Sequence, residues 1–175
     1  MGAGESAQDR LLQHALVSFQ EEYKDLNDTW KLIDSKAQSS GTIAGIFLAA
    51  AFALARQLPV GFSLWQRYLL CVGIVLLIAA VCFALAGLQI RRISPPPIGQ
   101  NLRQLVDDLL PNLSEAERDA RMTAFTSDQM LLWQESNGTM REKASGKALW
   151  VSLSQYSLFA AIMVVTVVTL ASVLN

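Results

Sequence analysis

The chain has 175 residues, 52% of them apolar, and a net charge of −1. That charge gives no basic footprint for a nucleic-acid polymer. A single histidine, His14, leaves little for a His-based metal site or catalytic pair within one chain. The apolar fraction is only slightly above the globular average, so the information lies in how apolar residues are distributed.

The N-terminal region is the most patterned. Leu12, Leu16, Phe19, Tyr23, Leu26, Trp30, Ile33 and Ala37 recur at alternating spacings of four and three, a coiled-coil seam. Gly41, Ala44, Leu48 and Ala51 continue the register, and no proline falls before residue 59. The spacing predicts one helix from about 8 to 56, cytoplasmic in its first half. Its polar face is acidic (Glu21, Glu22, Asp25, Asp28), which anionic headgroups would repel, so a helix lying on the membrane surface is disfavoured. The Leu11–Val17 stretch is too short and polar for a signal peptide.

A first membrane span is expected near 41–59. Only 41–55 is uncharged there, about 22 Å of helix. Arg56 would snorkel to the headgroups, and the residues after it would finish the crossing or lie at the interface. A second span, 68–90, carries no charge and reaches about 35 Å. Its two cysteines, Cys71 and Cys82, are about 16 Å apart on one helix, beyond disulfide reach.

Arg91-Arg92 and Pro95-Pro96-Pro97 follow, favouring extended polyproline. Residues 101–110 read as a short amphipathic helix that Pro111 stops. Ser114 with Glu117 forms a capping box that starts a helix running into a third span, 149–174. Gly138 and Gly146 are weak points, and a kink or break is expected near Asn137-Gly138.

Basic residues number four before the first span, two between the first and second, and eight in 91–148. Positive-inside bias then places the N-terminus in the cytoplasm and the C-terminus outside. The expected fold is an all-α integral membrane protein with three transmembrane helices. Its parts are a cytoplasmic helix (1–40), a hairpin of spans (41–90), a cytoplasmic linker and helices (91–148) and a last span (149–175). The cytoplasmic extensions of the first and third spans would run parallel as a stalk.

Small residues line the spans. Gly41, Gly45, Ala49 and Ala53 recur every four residues, and Gly73, Ala80 and Gly87 every seven. Such stripes let helix backbones approach closely in lipid, between chains as well as within one, and Ser154 and Ser157 can hydrogen-bond across helices. A homo-oligomer is expected. No acid or lysine lies inside a span, against a proton-coupled pump. No phosphate loop, HExxH, CxxC or nucleophile elbow is present, so neither an enzyme nor a bound cofactor or metal is expected. The Asn27 and Asn137 glycosylation sequons would face the cytoplasm.

Asp34-Ser35-Lys36-Ala37 precedes the first span, beside Trp30 and Ile33 of the seam. Arg141-Glu142-Lys143-Ala144 precedes the third, with Lys147 one turn on. Asp34 paired with Lys143 or Arg141 would fix the register of the two long helices. Solvated flanking charge is the alternative, because exposed ion pairs contribute little.

The Asp-x-Lys-Ala element (Asp34, Lys36, Ala37) closes an N-terminal helix and opens a short span. A close second span, a cytoplasmic insert and a lysine-bearing helix (Lys143, Lys147) before the last span complete the layout. This resembles the SLATT superfamily and the related Pycsar transmembrane effectors. The resemblance implies a bacterial inner-membrane anti-phage effector that a cyclic nucleotide activates, and that then assembles and impairs the membrane. Phosphate donors for such a ligand could come from Arg91, Arg92, Arg103, Arg118 or Arg121, although ordinary surface charge is the better explanation for most of them. The competing expectation is a constitutive membrane scaffold or accessory subunit that holds a cytoplasmic partner.

Overall fold

The structure is a computed structural model that describes residues 7–56, 63–90, 95 and 114–174. All described regular structure is helical. Helix α1 is Ala7–Arg56, α2 is Leu64–Gln89 and α3 is Glu115–Leu174. All three are long and apolar enough to cross a membrane. The expected 101–110 helix and the end of the first span, 57–59, lie outside the described residues.

The helix starts follow their caps. At α2, Gln66 Oε1 accepts from the Ser63 N–H and hydroxyl, both at 3.0 Å. At α3, Glu117 Oε2 accepts from the Ser114 N–H at 3.0 Å and hydroxyl at 2.7 Å. This is the reciprocal side-chain contact expected from the capping box. The break expected near Asn137-Gly138 does not occur, since α3 is unbroken. Asn137 is buried, and its amide bonds to α1 at Phe19 and Glu22, which anchors the turn that Gly138 weakens.

The chain divides into two units. The first comprises Met1–Asp28 and Arg92–Glu142. There Tyr23 meets Trp133 edge to face, with centroids 5.3 Å apart. Asn137 Nδ2 donates to Phe19 O at 3.0 Å and to Glu22 Oε2 at 3.2 Å, and Arg141 pairs with the same Glu22 carboxylate. Among the described residues of this unit, four buried polar atoms have no partner: Gln129 Oε1, Trp133 Nε1, Ser136 Oγ and Asn137 Oδ1.

The second unit, Thr29–Arg91 with Lys143–Asn175, is a three-helix bundle. Helix α2 runs antiparallel to α3: Ser154 Oγ donates to Ala80 O and Ser157 Oγ to Leu76 O, both at 2.8 Å. These are the cross-helix serine bonds expected from the sequence. Gly41 of α1 faces Ala84 of α2. Trp30, Ala37, Ala44 and Ala51 bury one seam of α1. On α2 the buried set is Gln66, Leu70, Gly73, Leu77, Ala80, Ala84 and Gly87, spaced four and three throughout. A strict 3.5-residue repeat is left-handed coiled-coil packing.

Within a bilayer, whose tails are as apolar as leucine, helices associate through close van der Waals contact and interhelical hydrogen bonds. The seams accordingly use small residues. A Cβ at Gly73 would meet Val165 at 3.2 Å, and one at Gly87 would meet Val151 at 3.2 Å. The central cluster is Ala44, Ala51, Leu70, Leu77, Ala80, Leu158 and Ala161.

Candidate functional site

Lys147 is 1% exposed, on the α3 seam between Ala144 and Val151. A buried ammonium must be paired to persist. Its Nζ lies 2.5 Å from Asp34 Oδ1 and 3.5 Å from the Ile90 carbonyl, just beyond the end of α2. It also sits 4.5 Å from the centroid of the fully buried Trp30 ring, within cation–π range. One lysine therefore joins all three chain segments of the bundle: a carboxylate and an indole from α1, and a backbone acceptor from α2.

The expected partner of Asp34 is thus corrected from Lys143 or Arg141 to Lys147. Lys143 is exposed, and Arg141 pairs with Glu22. The reason is register. Helices α1 and α3 bury alternating four- and three-residue steps, and Lys147 is a seam position whereas Lys143 points outward. The Trp30 ring lies against the ammonium of this pair. Lys36 is exposed at the mouth of a groove on α1 and α3.

This layer also aligns the three apolar stretches. The last charge before each is Lys36 on α1 and Lys147 on α3, and α2 ends at the same level before Arg91. Counted from this layer, the uncharged part of α1 is 37–55, 19 residues and about 28 Å. That uncharged length is close to the ~30 Å of a hydrocarbon core, and its first residues, Gln38, Ser39 and Ser40, are polar.

Of the small-residue stripe, Gly41 packs on Ala84 within the chain, while Gly45, Ala49 and Ala53 are exposed. Arg91, Arg92 and Arg103 lie outside the described residues. Arg118 and Arg121 are exposed on the first turns of α3. The Glu117 carboxyl there is held below its usual pKa by the Ser114 hydroxyl and N–H bonds, with Arg121 adding attraction. Among the described residues no group of His, Cys, Asp or Glu gathers as metal ligands would.

The arrangement ties the helices of the bundle in one register. Lys147 could be recognised in the sequence by one signal. It is the last charge before the third apolar stretch and sits in phase with Trp133, Met140 and Ser154. No protein family, curated protein or solved structure matches this chain.

Proposed function

We propose that the chain is a bacterial inner-membrane effector of anti-phage defence, which a cyclic nucleotide signal switches to a membrane-impairing oligomer. The N-terminus is cytoplasmic and the C-terminus is outside. The observation that carries this reading is the Asp34–Lys147 pair. Asp34 belongs to the Asp-x-Lys-Ala element on which the resemblance rests, and it holds the one buried cation of the bundle among the described residues.

Helices α1 and α3 each run unbroken through residues of both units, so a change in the first unit has a covalent route to the pair. The signal acts on the first unit and biases the pair's register. The exposed Gly45, Ala49 and Ala53 then meet another copy.

The test is co-expression with a nucleotide cyclase, with membrane potential and growth followed together. Depolarisation and growth arrest are expected, and their loss in Asp34→Ala with the protein still membrane-inserted. No depolarisation under any cyclic nucleotide overturns the reading.

A further inference from the structure

We infer that the groove between α1 and α3 of the bundle unit binds one anionic phospholipid. The groove has a cavity of about 360 Å³. Its lining changes character along the helix axes. Lys36 and Ser39 mark one end and Phe159 and Ile162 the other, with Gln155 and Ile43 at one level between them.

Among the described residues, Lys36 is the cation and Gln155 the amide of this groove, and neither has a partner. Lys36 is exposed and makes no ion pair with the described residues, whereas Lys147 and Arg141 are both paired. Gln155 is the single amide side chain between Lys147 and Leu174, and it makes no hydrogen bond to the described residues. An amide facing hydrocarbon without a partner is costly.

A phospholipid satisfies both groups at once. Lys36 stands at the charge layer that opens the spans, where a phosphate sits. Ser39 lies about 4.5 Å further along α1, within a headgroup layer about 5–8 Å deep. The lipid ester carbonyls then reach Ser39 and accept from the Gln155 amide, and the acyl chains run down Ile43, Phe159 and Ile162. The groove between α1 and α2 is of similar volume, about 330 Å³, but Gln38 and Thr42 are its polar lining and it has no cation. The inference is therefore confined to the α1–α3 side, and it does not depend on the effector role.

The full chain in nanodiscs of equal phosphatidylglycerol and phosphatidylcholine, delipidated stepwise under native mass spectrometry, tests it. Phosphatidylglycerol should be retained about fivefold over phosphatidylcholine, the scale of one lysine's attraction to an anionic surface. Lys36→Gln should bring the ratio to parity. Lys36→Arg should keep it, and Arg56→Gln, at the other end of α1, should not change it. Gln155→Leu should weaken retention of both lipids. Parity in the unaltered chain overturns the inference, as does a preference that survives Lys36→Gln. Disulfide crosslinking of Ile43→Cys between two copies, with no lipid retained, shows a second chain in the groove and overturns it as well.

Discussion

Lys147 Nζ lies 2.5 Å from Asp34 Oδ1, yet the two side chains are unequally buried, at 1% and 29% exposure. The pair is therefore asymmetric. Asp34 can still reach water if its partner is lost, whereas Lys147 cannot.

That asymmetry orders the substitutions. Asp34→Asn strands a buried ammonium and should cost about 3–5 kcal/mol. Lys147→Met leaves a carboxylate with access to solvent and should cost less, about 1–3 kcal/mol. The double variant should be more stable than Asp34→Asn alone. Thermal unfolding in detergent, followed by circular dichroism, reads all three, and the reverse order of the single variants would contradict the assignment.

The glycines divide by what surrounds them. Gly87→Leu would drive a side chain into Val151 and the Lys147 carbonyl, and should destabilise by about 1–3 kcal/mol through overpacking. A Cβ at Gly45 meets nothing within 4 Å, so Gly45→Leu should change the stability of the single chain by no more than about 0.5 kcal/mol. If crosslinked dimers fall in Gly45→Leu while the melting temperature holds, the exposed stripe faces another chain.

The first unit carries removable penalties. Gln129 is 3% exposed and its Oε1 has no partner. Gln129→Leu keeps the volume and removes the unpaired oxygen, so it should stabilise the unit by about 1–2 kcal/mol. Asn137→Leu should do the opposite, since it breaks the bonds to Phe19 and Glu22. Chemical denaturation of the two variants side by side checks the sign of each.

Acid should loosen the start of α3. Glu117 is held below its usual range chiefly by the Ser114 hydroxyl, so its contribution is present above the unfolded carboxylate pKa and is lost as pH falls through the lower folded value. An NMR titration of Glu117 should show the depressed midpoint, and Ser114→Ala should move it back up. An unchanged midpoint in Ser114→Ala would assign the shift to the Ser114 backbone N–H and Arg121 instead.

Much of the fold was legible in the sequence because α1 repeats apolar residues in a plain heptad and the second and third spans are uncharged. The α3 seam was not. It runs through Trp133, Asn137, Met140, Ala144, Lys147, Val151, Ser154, Leu158, Ala161 and Val168, again in steps of four and three apart from the final seven. Asn137, Lys147 and Ser154 interrupt it with polar side chains, so a search for apolar periodicity loses the phase. The pairing of Asp34 was misplaced for the same reason. Depth was judged from where α3 becomes apolar, whereas the partner is its last charged residue. The arginines expected to hold a phosphate stayed unsettled, because a list of basic residues does not say which of them converge.

The neutral pairing of Lys147 with Asp34 has an electrical consequence. Membrane voltage does work only on net charge that moves through it, about 2.3 kcal/mol per elementary charge per 100 mV. Residues 37–55, 68–90 and 148–174 contain no Asp, Glu, Lys or Arg, and the pair at their boundary sums to zero. The bundle therefore has no gating charge in these stretches. Across a bilayer, a rearrangement that moves only these stretches and the intact pair would carry no net charge through the field.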